Sequence, residues 1–237
     1  MPIRFILFDA VGTLFYPQPS VATAYHQVGQ RFGSLLTEAE IRPRFVLAYQ
    51  RVFRDTSDLA TDAIRERSRW RTVVGDVFRE RPADCDGIFK ALWEHFADPQ
   101  HWPLFDDVAP AWSELTARGF SLGIASNFDA RLRQIIAGQA CLANCEHVFV
   151  STEIGHAKPA LSFYRAIEQR LDAQPSEILI IGDDLENDVA APRRAGWYSC
   201  AIVRELSAPT SPSLLEVVLA AIHTATERDS RVMSLGR

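Results

Sequence analysis

Four short segments of this 237-residue chain carry residues that could do chemistry, and in three of them an apolar run delivers the polar groups. In Arg4-Phe-Ile-Leu-Phe-Asp9-Ala-Val-Gly12-Thr13-Leu14 an apolar strand runs into one carboxylate, then Gly and Thr. A buried strand ending in Asp sets a charge at the carboxyl edge of a sheet, where ligands bind in open α/β folds. The same Asp could also be only a helix cap or a turn former. In Leu122-Gly-Ile-Ala-Ser126-Asn127 a second apolar strand ends in a hydroxyl and an amide. Both groups donate hydrogen bonds, which suits the oxygens of a transferring group as well as a turn. Gly155-His-Ala-Lys158-Pro159 holds one of only two lysines, the other being Lys90, among 25 basic residues. Where 23 of 25 such cations are Arg, a retained Lys offers a compact ammonium that acts as a point charge toward phosphate or carboxylate. In Ile178-Leu-Ile-Ile-Gly182-Asp183-Asp184-Leu-Glu-Asn187-Asp188 another apolar strand delivers two adjacent carboxylates and a third one turn later. Crowded carboxylates repel, and a hard cation such as Mg²⁺, bound through oxygen, neutralises them. The plainer reading is a helix cap followed by a polar first turn.

The elements between these segments must bring them together. Residues 3–8 read as a fully buried strand, and 15–20, with two prolines, as a linker. From about 21 to 97 apolar residues recur at three- and four-residue spacing, as in Phe45, Tyr49 and Val52, and no strand interrupts the helical pattern. Asp98-Pro-Gln-His-Trp-Pro103 is a second linker. The chain then alternates: helix 107–118 closed by Gly119, strand 120–125, helix 129–138, strand 147–150, helix 160–172, strand 177–181, helix 187–195 and strand 198–203. Alternation of this kind predicts βαβ units and a parallel sheet. The fold class is therefore α/β, a Rossmann-like parallel sheet with an inserted all-helical domain. The core takes residues 1–16 and 104–225, the helical insert 17–103, and 226–237, rich in Arg, Ser and Thr, read as a frayed tail. The insert carries 12 acidic and 12 basic residues, so the net charge of −5 sits on the core.

Composition narrows the function. The mild negative charge gives no basic footprint for nucleic acid. No apolar run reaches membrane-spanning length, and the amino terminus does not read as a secretory signal. Cys85, Cys141, Cys145 and Cys200 have neither metal-ligand nor redox spacing, and read as free thiols of a cytoplasmic protein.

The four segments occur in order, 117, 32 and 25 residues apart from Asp9 through Ser126 and Lys158 to Asp183. In this order, with the flanking Asp106-Asp107-Val108-Ala-Pro110 and Ala190-Ala-Pro-Arg-Arg-Ala195-Gly196-Trp197, the chain to about residue 205 resembles the haloacid dehalogenase (HAD) superfamily. It is most similar to the hydrolase-like branch with a helical cap after the first motif. The resemblance implies an attack by Asp9 and a covalent aspartyl intermediate. It implies Mg²⁺ held by Asp9, the main-chain carbonyl of Val11 and Asp183, with Asp184 and Asp188 behind them. Lys158 would neutralise the nucleophile and the transferring group, Thr13 would support the nucleophile loop, and Ser126 with Asn127 would hold the non-reacting oxygens. The substrate class would be a small phosphorylated metabolite, and the protein a monomer or dimer. Asp9, Asp183 and Asp188 should converge at the ends of adjacent parallel strands, with Lys158 in salt-bridge reach of Asp9.

Val11 departs from the pattern. The family's phosphatases carry a second Asp there, which protonates the leaving oxygen and then activates water. Three readings fit its loss: a Mg²⁺-dependent phosphohydrolase, weakened or helped by another group; a 2-haloacid dehalogenase, whose halide needs no proton; and an idle fold kept for binding. The paired acids Asp183-Asp184 favour the metal-dependent reading over the dehalogenase.

Overall fold

The computed structural model describes residues 3–53, 60–204 and 212–235. Five parallel strands form one sheet in the order β3-β2-β1-β4-β5. They are β1 (Phe5–Phe8), β2 (Ser121–Ser126), β3 (His147–Val150), β4 (Ile178–Gly182) and β5 (Tyr198–Ala201). Every residue of β1 and β4 is buried, which explains why these strands read as continuous apolar runs rather than alternating ones. Ile6, Phe8, Ile124 and Ile181 pack toward α5 (Val108–Ala117), α6 (Arg131–Ala137) and α10 (Leu214–Leu235). Phe5, Leu7 and Ile180 face the other way, against α8 (Leu161–Leu171) and α9 (Ala191–Ala195). β1 lies between β2 and β4, so the segments after all three strands open on one edge.

The insert is helical, as its spacing predicts: α1 (Val21–Arg31), α2 (Glu38–Phe53), α3 (Ala63–Val77) and α4 (Cys85–His95). Tyr25, Ile41, Val73, Val77, Phe78 and Ile88 fill a core of its own. The two linkers run side by side. The Tyr16 N–H donates to the Pro103 carbonyl at 3.2 Å and Gln18 to His101 at 2.8 Å, so the chain leaves and re-enters the core at one seam.

Two expected boundaries move. The helix expected over 187–195 begins as a π-helical turn over Leu185–Ala190 and becomes α-helical only at Ala191–Ala195, where Pro192 sits in the first turn. Residues 226–235, which composition reads as a frayed tail, continue α10, and the last two lie outside the described residues. Buried Leu214, Val218 and Ala225 anchor that helix on the sheet; Arg is a good helix former, and Ser and Thr lower helix propensity too little to end it. Among the described residues no helix is long and apolar enough to cross a membrane.

One tie from beyond β5 braces the first loop. Arg204 donates from Nε and Nη2 to the Thr13 carbonyl at 3.1 and 2.8 Å, and from Nη1 to both carboxylate oxygens of Asp107. Asp107 Oδ2 also accepts the Leu214 N–H that opens α10. Charged hydrogen bonds of this kind contribute about 1.5–3 kcal/mol each. Arg204→Met is expected to lower unfolding free energy by about 2 kcal/mol in urea titration; a change under about 0.5 kcal/mol would mean that water replaces the tie without cost.

Candidate active site

The loop after β1 is wound tightly around one carbonyl. Ala10 O accepts from the N–H groups of Thr13, Leu14 and Phe15. This coil requires φ +84° at Gly12, a conformation that L side chains rarely adopt. Gly12 is needed twice, since a Cβ there would stand 2.5 Å from Asp183 Oδ2. Asp9, 8% exposed, is pinned by its own N–H to the Ile181 carbonyl at 2.8 Å, so β4 sets the position of the β1 carboxylate.

Lys158 sits at the centre. Its Nζ lies 2.7 Å from Asp9 Oδ1, 2.6 Å from Asp188 Oδ1 and 3.0 Å from the Ala125 carbonyl. An ammonium has three donors, and all three are used. Burial on its own would push this ammonium toward neutrality, but Asp188 and then Asp9 outweigh it and the net shift is upward. The group is a fixed positive charge. Asp188 is pushed up to about 6, by burial first, with Lys158 opposing and Asp9 adding to the rise. Asp183 is also raised, by burial and then by Asp188. Oxygens of Asp9, Asp183 and Asp188 lie within 4.8 Å of one another, so the three carboxylates expected to converge do so. Gly182 makes room for this, because a Cβ there would meet Asp188 Oδ2 at 2.2 Å.

Several polar groups turn out to be engaged with protein. Asn127 is a clamp: the Lys158 N–H donates to its Oδ1 at 2.7 Å, and its Nδ2 donates to the Lys158 carbonyl at 2.9 Å. Its side chain holds the lysine loop rather than standing free for substrate. The Thr13 hydroxyl likewise donates to Asp183 Oδ1 at 3.3 Å. Asp184 accepts from the Glu186 and Asn187 N–H groups and so caps the π-helical turn, the plainer of the two readings for that carboxylate. Ser126 is buried, and among the described residues its hydroxyl has no hydrogen-bond partner.

Two cavities lie between insert and core. One, of about 250 Å³, is lined by Val11 and by aromatic rings that include Tyr25, Phe45, Trp70 and Phe128. The other, of about 560 Å³, is lined by Lys158, Asp184 and Asn187 below and by Gln50 and Arg69 of the insert. Phe45, Tyr49, Glu66, Trp70 and Asn127 border both. Spacing alone does not single out Glu66, because an acidic residue on an amphipathic helix ordinarily faces water. Nor does spacing single out Asp129 and Arg131. The arginine is held bidentately by Asp129 at 2.8 and 2.7 Å and lies 3.5 Å from the centre of the Trp93 ring, joining α4 to the core.

A family model for haloacid dehalogenase-like hydrolases matches residues 3–196. The chain belongs to this family. Among curated relatives, haloacid dehalogenase-like hydrolase domain-containing protein 3 of Danio rerio is 28% identical over 83% of this chain and 83% of that protein. A ribulose-1,5-bisphosphate 5-phosphatase of Halopiger xanaduensis is 26% identical over 81% of each. The HAD-hydrolase YfnB of Bacillus subtilis, solved bound to magnesium, shares the fold at TM-score 0.71 and 17% identity, over 95% of this chain and 99% of that one. A defluorinating L-2-haloacid dehalogenase shares it at TM-score 0.69 and 18% identity, over 90% and 86%. Both structures are likenesses of fold. The sheet with its helical insert is thus a HAD core with its cap.

The ion cluster makes a prediction about stability. Lys158→Met would leave two buried carboxylates facing one another and is expected to cost about 3 kcal/mol at pH 7 without added metal, measured in urea. Adding Asp188→Asn should recover more than half of that loss, since one carboxylate charge then disappears. Additive losses in the double variant would show that the three groups are not energetically coupled.

Proposed function

We propose that this HAD hydrolase is a Mg²⁺-dependent phosphohydrolase that works on a small phosphorylated metabolite in the cytoplasm, with Asp9 as nucleophile. The observation that carries this reading is the charge imbalance of the site: three carboxylates within 4.8 Å, of which Lys158 contacts two. The all-oxygen donor set suits a hard divalent cation, and the missing Cβ at Gly12 keeps Asp183 close to the loop. Asp9, Asp183 and the Val11 carbonyl would hold Mg²⁺, with Asp188 fixed behind them by Lys158 and by the Asp184 N–H at 3.2 Å. Bound there, Mg²⁺ would offset the charge of the phosphoryl oxygens.

The rest is done by the chain. Lys158 holds the Asp9 carboxylate through Oδ1 and orients it for attack on phosphorus. The phosphorus–oxygen bond of the ester breaks and an aspartyl phosphate forms, which water then hydrolyses. The Ser126 hydroxyl, unpartnered among the described residues, would donate to the non-reacting oxygens with the backbone near Asn127. Phosphoryl transfer needs mainly such positioning and charge neutralisation.

Dehalogenation is the second reading, and Val11 is what favours it, because a departing halide needs no proton. One panel separates the two: aryl phosphate, acetyl phosphate and 2-chloropropionate, each with Mg²⁺ and with EDTA. The expected result is hydrolysis of both phosphates, stopped by EDTA and reduced about 10⁴-fold or more by Asp9→Asn. Mg²⁺ should also raise the melting temperature, and Asp183→Asn should remove most of that rise. Turnover of chloropropionate that survives EDTA would establish the dehalogenase instead.

A further inference from the structure

The reaction just described lacks a proton donor. Val11 occupies the position from which the family's resemblance expects a carboxylic acid, and an unprotonated alkoxide is a poor leaving group. General acid–base help of this kind is worth about 10²–10⁴ in rate. Among the described residues, the cap supplies one carboxyl group at that boundary. Glu66, on α3, is 8% exposed and borders both the cavity that contains Val11 and the cavity that contains Lys158. The Trp70 indole N–H donates to its Oε1 at 2.9 Å. Among the described residues Oε2 has no hydrogen-bond partner, so one oxygen of a buried carboxyl is left to the cavity.

We infer that Glu66 is the acid–base residue of this enzyme, delivered by the cap in place of the missing side chain at position 11. This deepens the phosphohydrolase reading and rests on it. In the first step Asp9 forms an oxygen–phosphorus bond while the ester's phosphorus–oxygen bond breaks. The electron pair of that bond goes to the leaving oxygen, which takes the Glu66 proton. In the second step the Glu66 carboxylate takes a proton from water as its oxygen attacks phosphorus, and the pair from the broken bond returns to Asp9. The products are alcohol and orthophosphate, and Glu66 ends protonated as it began.

The surroundings suit a group that must be protonated for part of the cycle. Burial raises the Glu66 pKa first and Asp129 adds to the rise, while the Trp70 hydrogen bond, Arg69 and Arg131 oppose it, with a net upward shift. Tyr49, from α2, is itself raised by burial and then by the charges of Glu66, Asp184 and Asp9, which places it within electrostatic reach of both the cap acid and the nucleophile.

The test compares a leaving group that needs no proton with one that does. Glu66→Gln keeps the shape of the side chain and an oxygen for Trp70. With Mg²⁺ and 2,4-dinitrophenyl phosphate, it should retain a rapid burst of phenolate release and then stall, with phosphate trapped on Asp9, because the second step has lost its base. With an alkyl phosphate the burst itself should fall by about 10²–10⁴. Trp70→Phe removes a donor that favours the carboxylate form, so the Glu66 pKa rises. The high-pH fall in kcat/KM for the alkyl phosphate should then move to higher pH. If Glu66→Gln matches the unchanged chain on both substrates, or slows both bursts equally, the role of Glu66 is wrong and the phosphohydrolase reading stands. If the unchanged chain releases no phenolate, that reading fails and takes this proposal with it.

Discussion

A single ammonium, buried between Asp9 and Asp188, is the constraint from which the rest of this site follows. Two carboxylates brought from β1 and from the turn after β4 cannot share a dry sheet edge without a cation between them. Lys158 is that cation, and its third donor on the Ala125 carbonyl ties it to β2 as well. Its charge therefore couples three neighbouring strands. Arg would not serve, because a planar fork does not offer three donors at the tip of one atom. The position of the lysine is in turn fixed by backbone, since Asn127 grips Lys158 by both its N–H and its carbonyl.

Around this centre the glycines act as spacers. Gly12 permits the coil that returns the chain beneath Asp183, and Gly182 lets Asp188 fold back against the end of β4. Arg204 braces the coil from outside through the Thr13 carbonyl and transmits its hold to Asp107 and to the start of α10. The loop after β1 is thus fixed from the sheet, from the lysine and from the far end of the domain. The cap joins this core at one seam, and its aromatic rings line the cavity above Val11.

The parts legible in the sequence are those whose cause is local. β1 and β4 were readable because strands buried on both faces must be apolar throughout, and Asp9 and Asp183 mark where each apolar run stops. Lys158 stood out because the chain otherwise uses Arg almost everywhere. The insert was readable from its helical spacing. The parts that were not legible depend on partners far away in the chain. Asn127 meets the lysine loop 31 positions on, and the Thr13 carbonyl meets Arg204 191 positions on. An Asn after a strand suggests turn chemistry or a substrate donor, and nothing local says that it clamps a distant backbone. Asp184 looked like part of the acidic cluster, yet the carboxylate nearest in sequence to a helix start is the one that caps it. Glu66 could not be chosen among the cap's acidic residues, because spacing does not show which of them is buried; among the described ones it is Glu66.

Lys158 stays charged because it is shared by Asp9 and Asp188. The composition offers a direct measurement, since the chain has only two lysines. Lysine labelled at Nζ should give two ammonium environments by NMR. Lys90, 4.0 Å from Glu94 and largely exposed, serves as the internal reference. Lys158 should remain charged through and beyond the pH at which an ordinary lysine, with a pKa of about 10.4, loses its proton. Its resonance, and not that of Lys90, should move when Mg²⁺ is added. A Lys158 signal that titrates together with Lys90 or below it would contradict the account, because the ammonium would then not be the charge that holds the two carboxylates in place.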